Sequence, residues 1–451
     1  MEKEVALYEM LDARERRAAK QAELLSRFAS TLVCFTMNIA GPIKNSPLIE
    51  EGYSLGKSML KGRLAAAKVA VLHFEETIGK TGCEAFFVVD ADAQSVQLLT
   101  SEIEDGSQLG RLFDMDVLSA DGRKTGRAEL GLPERKCLIC GGAAKGCARS
   151  RAHTVAELQA KTSSILEESV RRADARDAAR LACRALLYEV GTTPKPGLVD
   201  RANCGSHKDM DFFTFADSTA ALFPYFAECA RIGRENRAAP APDTFKALRE
   251  AGKKAEAAMF AATRGVNTHK GAIFSLGILC AAMGHLGRPR WDNSDALLDE
   301  CAAVSKGITR ADFADLSEEN AVTTGQKLYV RYGITGVRGE AEAGFPSVRK
   351  VGLPVLREGI RRGMPLNDAG CAALLAIIAN STDTNIIARS DRETQLETAS
   401  ELKEMLSENP YPDRAALEEL DKRFIAANLS PGGSADMLSI CYLLHFLERG
   451  D

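Results

Sequence analysis

The chain has 451 residues, 45% hydrophobic and 27% charged, with a formal net charge of −4. That length exceeds one ordinary hydrophobic core and predicts at least two domains. The balance is that of a globular protein, and its slight acidity excludes a general nucleic-acid binder.

The elements follow in chain order. A basic amphipathic helix is predicted over 12–28, with Arg14, Arg17 and Lys20 about one turn apart as a candidate phosphate-binding ridge. A strand rich in β-branched and aromatic residues follows at 31–39 and runs into the turn GPIKNSP, 41–47, where Lys44 is placed to meet a phosphate. A long helical pattern covers 54–78, and CEAFFVVD, 83–90, reads as a second strand. Asp92 suits an N-cap, and Val96, Leu99 and Ile103 share the face of the helix it would start.

GRLFDMDVL, 110–118, reads as a third strand and carries the strongest chemical signal of this half. Side chains alternate across a strand, so Asp114 and Asp116 share one face and Met115 and Val117 the other. Two like charges so close repel unless a cation or water separates them. Mg²⁺ held by these carboxylates and by substrate phosphates fits the pair, and a solvated strand edge is the plain alternative. Arg111 precedes them as a further phosphate ligand.

A loop rich in glycine and cysteine covers 119–154. Within it Cys137, Cys140, Cys147 and His153 have the spacing C-x2-C-x6-C-x5-H, which suits a structural zinc site. Arg149 and Arg151 lie between them. From 155 onwards helical patterns dominate, over 155–173 and again over 180–190. No internal repeat is evident. The expected architecture is an N-terminal α/β (α+β) nucleotidyltransferase-like domain over 1–170 and an all-α domain over 171–451. The longest apolar run, GAIFSLGILCAAM, has 13 residues and reads as a buried helix rather than a membrane span. Scattered cysteines and the charged start MEKE predict reduced thiols in a cytoplasmic protein.

In the helical half, polar residues crowd into loops. TTPKPGLVDRANCGSHKDMDF offers Lys195, Asp200, His207, Lys208, Asp209 and Asp211. RGVNTHKGA offers Asn267, His269 and Lys270 before the most apolar helix, a setting that suits phosphate. NSTDTN supplies Asp383 and Asn385, and SPGGSADM supplies Gly432, Gly433 and Ser434. Long polar connections between helices point to a site rather than to simple turns.

GPIKNSP, GRLFDMDVL and CLICGGAAKGCARSRAH, in that order, resemble the apo-citrate lyase phosphoribosyl-dephospho-CoA transferases over about residues 8–165. TTPKPGLVDRANCGSHKDMDFFTF, GVNTHKGAIFSLG, DTNI and SPGGSADML are similar to the triphosphoribosyl-dephospho-CoA synthases over about 180–451. The resemblance implies a bifunctional transferase. Its second half would make 2'-(5''-triphosphoribosyl)-3'-dephospho-CoA from ATP and 3'-dephospho-CoA, releasing adenine. Its first half would move the phosphoribosyl-dephospho-CoA group to a serine of the citrate lyase acyl carrier protein (the gamma subunit), releasing pyrophosphate. Asp200, Asp209, Asp211 and His269 are the candidate acid–base groups of the first step. Lys195, Lys208 and Lys270 would hold phosphates, and His207 reads equally well as a structural hydrogen-bonder. Three alternatives stand beside this reading: a nucleotidyltransferase with a helical binding or regulatory module, a zinc-stabilised adaptor, and the equivalent activities for a malonate decarboxylase-type carrier.

Overall fold

The computed structural model describes residues 4–450, which divide into two compact units, Met1–Ala173 and Asp174–Asp451. The first unit contains α1 (Leu7–Phe28), β1 (Thr31–Met37), α2 (Pro47–Ala66), β2 (Ala70–Gly79), β3 (Gly82–Asp90), α3 (Ala93–Asp105), β4 (Phe113–Leu118) and α4 (Ala144–Ser150). It also holds the start of α5 (Val155–Gly191). The strands form one antiparallel sheet in the order β2-β3-β1-β4.

The alternation of apolar residues decides how the sheet is covered. Val33, Phe35, Phe87, Met115 and Val117 point to one face and pack against Tyr53 and Leu60 of α2, Val96 and Ile103 of α3, and Ile165, Leu166 and Val170 of α5. Helix α2 lies close because Gly56 carries no side chain; a Cβ there would sit 2.6 Å from the Phe35 ring. On the other face, Leu24 of α1 packs on Leu32, Cys34, Phe86 and Val88.

The helix predicted over 54–78 is corrected. Ser46 caps α2, accepting from the Ile49 N–H at 3.3 Å, and the helix ends at Ala66. Lys68 then takes a left-handed φ of 56°, and the chain turns into β2. This is an edge strand with no fully buried residue, so it carries no apolar alternation to reveal it. It is held by its pairing with β3. The third predicted strand begins at Phe113, because residues Gly110–Leu112 form a 3₁₀ turn. The two helical patterns at 155–173 and 180–190 belong to one uninterrupted α5.

The second unit is helical throughout the described residues. After α5 come α6 (Phe212–Glu235), α7 (Ala241–Ala262), α8 (Lys270–Leu286), α9 (Ser294–Val304), α10 (Ile308–Phe313), α11 (Thr324–Tyr332) and α12 (Gly336–Glu342). They are followed by α13 (Leu353–Arg361), α14 (Leu366–Asn380), α15 (Thr384–Arg389), α16 (Arg392–Glu408), α17 (Arg414–Ala426) and α18 (Gly432–Arg449). The apolar helices α8, α14 and α18 are buried on nearly every side and form the core. Helices α6 and α8 meet backbone to backbone. A Cβ at Gly233 would lie 2.0 Å from the Ala281 carbonyl oxygen, and one at Gly284 would lie 2.0 Å from that of Ala230. No helix is long and apolar enough to cross a membrane among the described residues.

Candidate active sites

In the first unit the register puts Asp114 opposite Thr36 and Asp116 opposite Cys34, with Glu84 opposite Thr36 on the far side. The three carboxylates therefore share the face away from the larger core. Burial, then the neighbouring Asp116, pushes the Asp114 carboxyl above its usual range; Lys124, Arg135 and Arg17 work against this. The Lys124 ammonium is ion-paired to Asp116. Arg17, from α1, donates to Glu84 through Nε at 2.9 Å. The pair is thus mutually repelled and ringed by cations. Glu84 was not singled out from sequence; only the strand register reveals it.

Behind this face, the edge N–H of Met115 donates to Glu104 Oε1 at 2.9 Å. Arg135 reaches Glu104 at 3.0 Å and donates to the Phe113 carbonyl at 2.7 Å. Of the expected phosphate ligands, Arg14 is exposed. Lys44 is turned inward, donating to the Ile39 carbonyl at 2.6 Å, so it closes its own turn. Arg111 is 3.6 Å from Asp105 and also donates to the Lys136 carbonyl.

In the second unit the loops before α6, α8, α12, α15 and α18 surround a cavity of about 990 Å³. Lys195, Asn267, His269, Lys270, Asp383, Asn385, Gly432 and Gly433 all line it. The four polar loops singled out from sequence thus converge, together with the loop before α12.

Each expected residue has a definite place. His269 is buried, 2% exposed, just ahead of α8. Thr268 donates its hydroxyl to Ser218 Oγ at 2.8 Å, and Ser218 Oγ lies 2.7 Å from His269 Nδ1. The other ring nitrogen, Nε2, is buried with no protein partner. Burial, helped by Lys195, pushes the imidazole pKa down to about 3. His269 is therefore held neutral. Asp383 is saturated: Oδ1 accepts from Asn385 N–H at 2.9 Å, and Oδ2 accepts from both the N–H and Oγ of Ser434 at 2.8 Å. It ties the start of α15 to the start of α18. Gly432 must lack a side chain, because a Cβ would sit 2.7 Å from Asn385 Nδ2.

Four expectations are corrected by placement. Asp200 is buried and knits its own loop, accepting from the N–H groups of Lys195 at 3.0 Å and Ala202 at 2.6 Å. Asp211 is the exposed N-cap of α6, accepting from Thr214 N–H at 2.8 Å. Lys208 and Asp209 are exposed and do not line the cavity. A polar loop had to spend some of its groups on its own backbone, and sequence could not say which. Lys195 lines the cavity, but its ammonium is buried and ion-paired to Glu189. His207 also lines the cavity, where both ring nitrogens are engaged: Nε2 lies 2.8 Å from Ser430 Oγ, and Arg389 donates to Nδ1 at 3.2 Å.

Glu189, paired with Lys195, was missed by sequence reasoning, and so were two further cavity residues. Asp436 presses on α8 so closely that a Cβ at Gly271 would be 1.9 Å from its Oδ2, and it accepts from the Ala272 N–H. Burial, then Glu189 and Asp383, pushes its carboxyl far above the usual range. Lys350 stands at the cavity wall, exposed. Asp436 lay inside the quoted SPGGSADM, but nothing in that stretch marks it out.

Residues 175–451 match the family described as ATP:dephospho-CoA triphosphoribosyl transferase, and residues 5–169 match that described as apo-citrate lyase phosphoribosyl-dephospho-CoA transferase. The chain belongs to both families. Its two transferase halves are joined in the same order in relatives named Protein CitXG. That of Leuconostoc mesenteroides subsp. cremoris is 36% identical over 454 residues, covering 97% of this chain and 96% of the relative. That of Haemophilus influenzae is 33% identical over 452 residues, covering 97% and 95%. The 2-(5''-triphosphoribosyl)-3'-dephosphocoenzyme-A synthase of Pectobacterium atrosepticum is 40% identical over 283 residues, covering 62% of this chain and 93% of the relative. The cavity lies wholly within the triphosphoribosyl transferase half, and the Asp114 face wholly within the phosphoribosyl-dephospho-CoA transferase half. A helical half that only binds or regulates is excluded, as is a non-enzymatic adaptor.

Proposed function

We propose that residues 171–451 join ATP to 3'-dephospho-CoA and that residues 1–170 pass the product to a serine of the citrate lyase acyl carrier protein. In the first step the ribose 2'-oxygen of dephospho-CoA bonds to C1' of ATP as the bond to adenine breaks. The hydroxyl loses its proton and adenine leaves with one. The observation that carries this reading is the cavity that gathers Glu189, Asp383 and Asp436 beside exposed Lys270 and Lys350. Of these acids Asp436 is left for proton transfer, the negative charge of the group faces the cationic reacting carbon, and lysines at the wall serve a triphosphate. Asp436 is the proton-exchanging group, since its site favours the protonated acid. His269 donates from Nε2 to a substrate oxygen or ring nitrogen. Asp383 and Ser434 are positioning residues, and Asn267 and Asn385 orient the substrates.

In the second step the serine oxygen bonds to the α-phosphorus and the bond to the β-phosphate breaks, releasing pyrophosphate. An antiparallel sheet with Asp-x-Asp on its edge strand supports a nucleotidyltransferase-like reading of the first unit. Asp114 and Asp116 would hold Mg²⁺, which when bound neutralises charge on the phosphates. Arg17, Lys124 and Arg135 stand around the pair to receive phosphate oxygens once the carboxylates are engaged.

The test is incubation of the full chain with ATP, Mg²⁺, 3'-dephospho-CoA and the apo carrier protein. Free adenine by chromatography and a carrier protein heavier by one phosphoribosyl-dephospho-CoA unit are expected. No adenine would overturn the assignment of the helical half. Adenine without carrier modification would overturn that of the first half.

A further inference from the structure

The segment 119–154 is largely exposed and is tied to the rest of the first unit mainly by polar contacts. From 119 to 154, Thr125 is the one buried residue. It has no core of its own, yet it follows a defined course. Lys136 and Ala143 pair as an isolated antiparallel bridge, with Cys137 N–H donating to the Gly142 carbonyl at 2.7 Å. The tight turn between them carries Cys137 and Cys140, and Gly141 supplies the φ of 74° it needs. Helix α4 brings Cys147, and His153 lies two residues ahead of α5.

These three short pieces place four ligand atoms together. The sulfurs of Cys137, Cys140 and Cys147 and a ring nitrogen of His153 all lie within 4.8 Å of one another. Among the described residues this is the one group of three or more His, Cys, Asp or Glu so gathered. Cys140 Sγ and Cys147 Sγ are 3.4 Å apart, in contact and unbonded. The Ile139 N–H points at Cys137 Sγ at 3.5 Å, as backbone amides do around bound thiolates. His153 Nε2 is buried with no partner, an orphan a metal would satisfy. Seven other cysteines are buried in strands and helices and none of them joins such a group, so the cluster is not a by-product of cysteine content.

We propose that Cys137, Cys140, Cys147 and His153 bind one structural zinc ion that fastens the segment 119–154 beside the Asp114 end of β4. Three soft thiolates and an imidazole disfavour Mg²⁺ and Ca²⁺ and match closed tetrahedral zinc. All four tetrahedral positions are filled by protein, so the ion has no open position for a substrate. Its effect on transfer is through position. Arg135 and Lys136 immediately precede Cys137. Arg135 donates to the Phe113 carbonyl at 2.7 Å, Lys136 accepts from Arg111, and Arg135 is one of the cations that act on Asp114. A zinc knuckle thus adds to the contact of Leu138 with the core and fixes the backbone that carries Arg135.

The role in transfer rests on the function proposed above; the metal site does not, and the experiment separates them. The full chain, grown with zinc and purified without chelator, is assayed for metals by mass spectrometry and by zinc-edge X-ray absorption. About one zinc per chain is expected, with sulfur neighbours at about 2.3 Å. Cys147→Ser and His153→Ala should each lower the zinc content. Stripping the ion with a mercurial and a chelator should slow transfer of supplied triphosphoribosyl-dephospho-CoA by about 10- to 100-fold. Adenine release should stay unchanged, and added Zn²⁺ after thiol reduction should restore transfer. Zinc-free chain that transfers at the parent rate would overturn the proposal. So would a Cys140–Cys147 disulfide in protein that is fully active. Zinc bound stoichiometrically in a chain with no transfer activity would leave the metal site standing and sink the function proposed for the first unit.

Discussion

Burial decides what His269 can do. Its pKa of about 3, against an ordinary 6.5, leaves it uncharged wherever the enzyme works. His269→Gln keeps a neutral donor near the same place, so adenine release should fall only about tenfold, the scale of one weakened hydrogen bond. The acid limb of its pH profile should not move. A limb that vanishes would show that His269 titrates in catalysis. The sign for stability follows from the same values. Between about 3 and 6.5 the unfolded histidine takes up a proton that the folded one refuses, so the fold weakens as pH falls through that window. Urea midpoints between pH 7 and 4 should fall less in His269→Gln than in the parent. Asp436 is the opposite case, an acid whose site favours the proton. Asp436→Asn should cut adenine release by about 100-fold or more, the usual contribution of a general acid or base, with transfer of supplied intermediate unchanged. Near-parental release would remove Asp436 from the mechanism. Asp114→Asn and Asp116→Asn should abolish transfer and let the intermediate accumulate. Each removes one of two repelling charges from a face outside the larger core, so the melting temperature should not drop. Parental labelling of the carrier at limiting Mg²⁺ would refute the metal role.

At the scale of elements, what a single sequence reveals depends on how each element is stabilised. Strands β1, β3 and β4 announced themselves because the sheet buries alternate residues against α2, α3 and α5. β2 did not, because an edge strand is held by backbone pairing, which leaves no side-chain pattern. The same division applies to the cavity. Asn267, His269, Asp383 and Asn385 were legible because polar residues massed beside apolar helices. Asp436 and Glu84 were not, since each depends on a neighbour remote in sequence, Gly271 in one case and the strand register in the other. The packing of α6 on α8 is of this second kind. It needs Gly284, where a Cβ would lie 2.0 Å from a backbone oxygen that cannot rotate away. Gly284→Ala should therefore destabilise the helical unit by about 1–3 kcal/mol, the cost of overpacking, despite the better helix propensity of alanine. Chemical denaturation followed by circular dichroism measures it, and an unchanged or raised midpoint would mean that the two helices can part at little cost.

For the molecule as a whole, the question is whether two consecutive reactions on one chain need one another. The helix α5 is continuous from Val155 to Gly191, but its residues serve separate cores. Ile165, Leu166 and Val170 pack in the first unit, whereas Ala178, Leu181, Ala182 and Leu186 pack in the second. Asp174 pairs with Arg234 and Arg288 at 3.0 Å, so it belongs with the helical unit. A cut between Ala173 and Asp174 divides these contacts without splitting either apolar set, and each product exceeds the size at which a domain folds alone. Residues 1–173 should transfer supplied triphosphoribosyl-dephospho-CoA to the carrier protein, and residues 174–451 should release adenine from ATP given dephospho-CoA. Each half should work at near the parent rate, because no residue proposed for one reaction lies in the other unit. Cutting ahead of Ile165 instead should unfold the first half, since Ile165, Leu166 and Val170 would leave its core. The decisive comparison is each fragment alone and then mixed. Two folded halves that act only when combined would show that a site is completed across the units, and the division of labour drawn from α5 would fall.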